Sequence, residues 1–343
     1  MTLVDPERLA AWMDGEGLAP GAPLTVERIT TGHSNEVFVV ERGELRCALR
    51  RPPRTPLSPT AHDMVREHRL LSAFRAPDGW HGREPVPVPR PVALCADPDV
   101  IGAPFYLMDV VDGVVVRDRL PEVLTPDPAA CAYELIDALA GIHAFDWQAG
   151  GLGDFGRPDG YLERQVPRWL GQLERYKTRE LPEVDEAGRW LSEHTPAMQP
   201  PTVIHGDYKL DNVMFAPDLP VCLAAVVDWE QSTVGDPLAD VGWVIGLWVD
   251  PDEAASMTGP GPLGSAAPTR TELVERYGAA TGRDLDHLAF YCVLGLFKLA
   301  CVMEGSYARF TAGTSDDAYF AALGEGVPAL ARRALEFAEG KRF

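Results

Sequence analysis

The sequence predicts an α+β chain in two lobes: a small N-terminal antiparallel sheet with one helix, then a larger, mostly helical part. Strand-like runs at Leu24–Ile29, Glu36–Glu41 and Leu45–Arg51 are followed by two more at Pro91–Cys95 and Phe105–Val110. Gly43 sits between the second and third runs, where a tight hairpin needs it. One helical stretch, Ala61–Phe74, interrupts the strands and turns Met64, Leu70, Leu71 and Phe74 toward a core. Beyond it the period is helical over Asp127–His143, Tyr161–Lys177, about 183–193, Leu238–Trp248, from Thr269, about 285–310 and about 317–339. The change falls near residue 112, giving lobes of 1–112 and 113–343.

Composition narrows the function. A chain of 343 residues, 46% hydrophobic and 24% charged, has enough apolar surface for an ordinary core. Its net charge of −20 argues against nucleic acid, which needs clustered Lys and Arg. The six cysteines form no CxxC pair and read as reduced, mostly buried thiols in a cytoplasmic protein. Asp5 and Glu7 leave no apolar leader at the start. Leu288–Met303 is broken by Lys298 and is too short to span a bilayer, so a core helix and no membrane partner are expected.

The first lobe offers phosphate-binding chemistry. Gly32, His33, Ser34 and Asn35 make a small polar turn between two strands, where backbone N–H groups can aim at phosphates. Alternation in the third strand sets Leu45, Cys47 and Leu49 on one face and Arg46, Ala48 and Arg50 on the other. No lysine occurs before Lys177, so a cation holding phosphate from this strand is Arg50, unless Arg50 is simply a solvated strand-end charge. Glu67, midway along the helix, is either its partner or an ordinary surface acid beside Arg66 and Arg69.

The second lobe holds the densest chemistry. In VIHGDYKLDNVMF, Asp207 and Asn212 lie five apart in a polar turn between β-prone flanks, and Asp228 ends the next apolar run, AAVVDWE. A carboxylate, an amide and a second carboxylate suit a general base beside Mg²⁺, which takes a few hard oxygens and leaves room for phosphate. Asp240, inside an apolar run, needs a hydrogen-bonding partner. Arg164, Arg168 and Trp169 either line a substrate cleft or belong to an ordinary amphipathic helix.

These motifs, HGDYKLDN followed by DWE, with GHSN, LRRPP, REHRLL, GYLERQVPRW and DWEQSTVGDPLADVGW, resemble the aminoglycoside phosphotransferase family. Within it they are most similar to the kinase-like domain also found fused to some acyl-CoA dehydrogenases. The resemblance implies a protein-kinase-like fold with ATP, or GTP, and Mg²⁺ as cofactors and a small-molecule hydroxyl as acceptor. It implies Asp207 as base, Lys209 near the γ-phosphate, and Asn212 and Asp228 on the metal. His205 and Asp240 would brace the loop. Gly32, His33, Ser34 and Asn35 would cover phosphates, Arg50 would hold them with Glu67 orienting it, and Ala48 would face adenine. Asp109 and Val111 would form the hinge that binds the adenine edge. Glu230 would bind a second metal or orient the first. The acceptor would be a hydroxyacyl-CoA-like metabolite or an aminoglycoside-like antibiotic. Arg50 in the usual lysine position also motivates a rival reading, a nucleotide-binding module with weak or no catalysis.

Overall fold

Antiparallel alternation builds the smaller of the two units into which the chain divides, Met1–Gly113 with Asp146–Gly153 and Ala224–Glu230. The computed structural model describes residues 3–29, 35–53, 62–253, 261–315 and 317–342. Helix α1 (Pro6–Gly15) is opened by Asp5, whose carboxylate caps the Glu7 and Arg8 N–H groups. Strands β1 (Leu24–Ile29), β2 (Glu36–Arg42), β3 (Leu45–Arg51), β4 (Pro91–Cys95) and β5 (Phe105–Asp109) form one sheet in the order β1-β2-β3-β5-β4. Every neighbouring pair in it is antiparallel. Gly43 takes φ 58° at the β2–β3 turn, a left-handed value that suits glycine.

The two faces of this sheet do different work. Cys47 and Leu49 of β3 join Phe38, Val40, Phe105 and Leu107 in a buried cluster sealed by Leu9 and Met13 of α1. Helix α2 (Met64–Arg75), capped by Asp63, packs against β4 and β5 and buries Glu67, Leu70, Leu71 and Phe74. The Phe74 ring lies against Trp80 and Trp229, at centroid distances of 5.6 and 5.0 Å. Ala48 and Arg50, in antiphase to the first cluster, share the side on which α2 presents Glu67.

The larger unit, Val114–Phe145, Asp154–Leu223 and Gln231–Phe343, is helical around small strand pairs. Its helices are α3 (Pro128–His143), α4 (Gln165–Leu173), α5 (Pro182–Glu193), α6 (Leu238–Leu247), α7 (Arg270–Thr281), α8 (Leu288–Thr311) and α9 (Ala318–Ala338). Strand β6 (Val114–Val115) pairs with β8 (Val213–Phe215), and β7 (Thr202–Ile204) with β10 (Thr233–Gly235), both antiparallel. Strand β9 (Leu223–Val226) leads the chain into the Ala224–Glu230 segment.

One helix is shorter than expected, and the one expected over about 285–310 forms at Leu288–Thr311. The helical reading of Tyr161–Lys177 shrinks to α4, which places Pro167 in its first turn, where a missing N–H leaves no helical bond unmade. The apolar run ending at Met303 continues as helix to Thr311, making α8 24 residues long. Among the described residues it alone is long and apolar enough to cross a membrane, yet 67% of its most apolar window is buried. It packs against α4, α5, α6 and α9, as a core helix does.

The α6–α8 contact depends on Gly242, where a Cβ would overlap the Tyr291 backbone and Cβ. Gly242→Ala is expected to destabilise the larger unit by about 3 kcal/mol, read as a lower urea midpoint, since backbone cannot yield as a flexible side chain can. An unchanged midpoint would show that α6 and α8 pack less closely than this.

Candidate active site

In the smaller unit a buried arginine gathers three carboxylates. Arg50 leaves β3 opposite Val37 and Tyr106, and its guanidinium and Glu67 are both almost wholly buried. Arg50 Nε donates to Glu67 Oε2 at 2.8 Å, and Nη2 to Asp228 Oδ1 at 2.5 Å. Glu230 Oε2 lies 3.9 Å from the same Nη2. Tyr106 Oη adds a hydrogen bond to Glu67 Oε2 at 3.1 Å, while Glu67 Oε1 is buried with no hydrogen-bond partner among the described residues. Burial opposes the charge on Arg50, but Glu67 and then Asp228 outweigh it and hold its pKa well above the ordinary value. Burial pushes Glu67 upward against the pull of Arg50. Of the alternatives for Arg50 and Glu67, the buried ion pair is the one formed.

Asp228 takes φ 64°, a left-handed backbone that a non-glycine residue adopts only where its surroundings enforce it. Glu230 Oε2 accepts from Asn35 Nδ2 at 2.6 Å and lies 2.9 Å from His62 Nδ1. Burial, then Arg50, lower the His62 pKa, which favours the neutral ring. Asn35 is buried at the end of the polar turn; Gly32, His33 and Ser34 lie outside the described residues. Ala48 is buried two residues before Arg50, opposite Val39 and Met108. Asp109 ends β5 with its N–H bonded to the Arg90 carbonyl, and its carboxylate takes both Arg90 donors at 2.7 and 2.9 Å. Val111 follows, half-buried, in an irregular stretch.

In the larger unit the HGDYKLDN stretch is a turn whose first three N–H groups are each held by a side chain. Asp240 on α6, almost fully buried, accepts from the His205 N–H at 2.6 Å and the Gly206 N–H at 2.8 Å. His143 Nε2 lies 3.4 Å from Asp240, and its Nδ1 lies 2.7 Å from the Tyr277 hydroxyl. Burial raises the Asp240 pKa, but the His143 hydrogen bond and nearby charges prevail and keep it below the usual carboxylate value. The buried acid therefore has the partners its apolar setting requires.

Gly206 has φ 84°, and a Cβ there would lie 2.6 Å from the Gln231 carbonyl oxygen. The Asp207 N–H points at His205 Nδ1, 3.3 Å away. A single 3₁₀ turn, Leu210–Asn212, then folds Asn212 back. Its Nδ2 donates to the Asp207 carbonyl at 2.8 Å and to Asp207 Oδ2 at 3.0 Å. Lys209 Nζ stands 3.5 Å from the same Oδ2. Tyr208, fully buried, anchors the turn by donating to the Leu135 carbonyl.

The phosphotransferase enzyme family, abbreviated APH, matches residues 25–291, which includes both clusters. The chain belongs to this family. Among curated relatives, acyl-CoA dehydrogenase family member 11 from Gallus gallus is 33% identical over 333 residues. That match covers 94% of this chain but 42% of the relative, so the chain spans less than half the relative's length. A provisionally named aminoglycoside phosphotransferase from Ralstonia eutropha is 31% identical in its crystal structure, with a TM-score of 0.79, covering 97% of this chain and 98% of that one. The same fold recurs, at 16% identity and a TM-score of 0.57, in a thermostable mutant of aminoglycoside phosphotransferase APH(4)-Ia, solved as a ternary complex with ADP and hygromycin B. That match covers 90% of this chain and 94% of that one.

In this APH family member, sequence reasoning brought Arg50 to Glu67, Asp207 to Asn212 and Lys209, and Asp240 to the loop backbone. It missed Lys298, whose Nζ donates to the Gly206 carbonyl at 2.5 Å. The available signal was a lone lysine inside the most apolar run of the chain. It also missed the contacts of Asn35 and His62 with Glu230, for which local sequence holds no signal.

Proposed function

We propose that this chain is a Mg²⁺-dependent kinase that moves the γ-phosphate of ATP, or GTP, to a hydroxyl of a small molecule. The observation that carries the reading is the folding of Asn212 onto Asp207. With Nδ2 committed to Asp207, the amide keeps its Oδ1 as an oxygen donor for a cation. The donor chemistry fits Mg²⁺: an amide oxygen from Asn212 and a carboxylate from Asp228 are hard ligands, and Mg²⁺ takes few protein ligands when phosphates supply the others. Among the described residues no group of three or more His, Cys, Asp or Glu could hold a metal ion, in keeping with a site that substrate helps to complete. When bound, Mg²⁺ would neutralise charge on the phosphates.

The chain's own residues would do the rest. Asp207 orients the acceptor hydroxyl and takes its proton as the oxygen attacks phosphorus. Lys209, beside Asp207, is placed to offset charge on the transferring group. Arg50 contacts the nucleotide phosphates from a guanidinium preset by Glu67, and Asn35, preceded in sequence by Gly32, His33 and Ser34, would add polar contacts to them. Ala48 leaves room for the base, and the backbone from Asp109 to Val111 meets its edge. A nucleotide as phosphate donor is in keeping with the ADP complex of the fold relative.

For the acceptor, the relative named for acyl-CoA dehydrogenases supports a hydroxyacyl thioester, and the Ralstonia eutropha relative supports an aminoglycoside. Release of ADP from Mg²⁺·ATP, or of GDP from Mg²⁺·GTP, screened over hydroxyacyl-CoAs, aminoglycosides and amino alcohols, is expected to rise with one class and to stop on chelation. A nucleotide-binding module is favoured by one observation, Arg50 already committed to two acids. Nucleotide binding with no ADP release from any acceptor would select that reading.

A further inference from the structure

Lys298 is the one charged residue within the apolar stretch Leu288–Met303 of α8, and it points at the catalytic turn of the larger unit. Its ammonium is half-buried, 4.7 Å from the Trp243 ring centroid on α6 and 5.6 Å from that of Trp169 on α4. Its Nζ donates to the Gly206 carbonyl at 2.5 Å. That carbonyl belongs to the peptide plane whose other end is the Asp207 N–H, which points at His205 Nδ1. The preceding N–H, that of Gly206, is held by Asp240. Both ends of the plane that carries the Asp207 Cα are therefore fixed, one by His205 and the other by Lys298.

Cost and position together argue for a role. An ammonium between indole rings loses hydration, and this desolvation draws the Lys298 pKa down to about 8, against Asp207 and Asp240, which raise it. Arg168 on α4 and Lys209 on the turn push the same way as desolvation. A methionine at 298 would fill the space without that cost. The lysine is thus unfavourable for packing and is matched to one carbonyl.

We propose that Lys298 is a positioning residue for Asp207, holding the Gly206–Asp207 peptide in the orientation that aims the carboxylate at the acceptor. The proposal rests on the reading of Asp207 as the base. Loss of a charge-assisted hydrogen bond to the peptide should misdirect Asp207 without touching the groups assigned to nucleotide.

The test compares Lys298→Met, Lys298→Arg and Asp207→Asn by ADP release from Mg²⁺·ATP, using the acceptor that screening identifies or water if none is found. Lys298→Met is expected to lower kcat about tenfold or more with KM for ATP unchanged, and Lys298→Arg to recover part of that loss. Wild-type kcat is expected to fall on the alkaline side of about pH 8 as the ammonium loses its proton. Asp207, Asp240, Arg168 and Lys209 face the same group, so the limb must move in the Lys298→Arg variant to belong to Lys298. If Lys298→Met does not fold, movement of that limb in Lys298→Arg decides. Wild-type kcat in Lys298→Met, or an alkaline limb unmoved in Lys298→Arg, overturns the proposal. Full turnover in Asp207→Asn would instead overturn the base assignment, and this proposal with it.

Discussion

Asp207→Asn is expected to lose roughly 10²–10⁴-fold in kcat while retaining nucleotide affinity. The substitution is nearly isosteric, and the turn does not depend on the carboxylate's charge. The Asp207 N–H is held by His205 and its carbonyl by Asn212, so these backbone bonds stay while the Asn212 and Lys209 contacts with Oδ2 weaken. What changes is the group facing the acceptor, from one that accepts a proton to one that cannot. The groups assigned to phosphate, Arg50 and Glu67, belong to the other unit and keep their ion pair. Equilibrium binding of ATP beside steady-state ADP release separates the two effects. A parallel loss of affinity and turnover would place Asp207 in nucleotide binding instead.

Arg50→Ala is expected to be the most damaging single change in the smaller unit. It leaves Glu67 with its partner gone, in a setting where one half of a buried pair left alone costs about 3–5 kcal/mol. Asp228 is more exposed and loses less. Nucleotide affinity should fall as well, since the guanidinium is the cation this strand offers to phosphates. Stability and binding can be separated by adding Glu67→Leu to Arg50→Met, which removes both charges of the buried pair and restores apolar packing. Thermal stability is expected to recover in that double variant and nucleotide affinity is not. Recovery of both would mean that the phosphates are held elsewhere, and the nucleotide-binding role of Arg50 would be lost.

Much of this site was legible because its signals are local. Alternation along Leu45–Arg51 put Ala48 and Arg50 on one face, and the helical phase of Ala61–Phe74 put Glu67 within reach. Asp240 was legible for a different reason: a carboxylate in an apolar run must be satisfied, and the family resemblance implied the loop as its partner. The five strands of the small sheet were readable to within a residue or so, since each carries its own period. The ends of α4 were not, whereas α8 lies close to its expected 285–310. Pro167 permits a helix that starts just before it as well as one that kinks, and only packing chooses. In α8 the pattern past Met303 is more polar, and helix continues there against α9.

Contacts across long separations were invisible. Lys298 meets Gly206 across 92 residues, and Asn35 meets Glu230 across 195. Nothing in either local sequence names the other, because tertiary folding alone brings them together. The left-handed backbone of Asp228 was equally hidden, since aspartate carries no sequence mark of that conformation as glycine does.

The most direct test of phosphotransfer follows the γ-phosphate itself. With Mg²⁺ and ATP labelled at the γ-position, wild-type protein is expected to move the label onto a hydroxyl of one acceptor as a phosphate ester, and Asp207→Asn is expected to leave it on ATP. Label released only as inorganic phosphate, or transferred equally well by Asp207→Asn, would contradict the account.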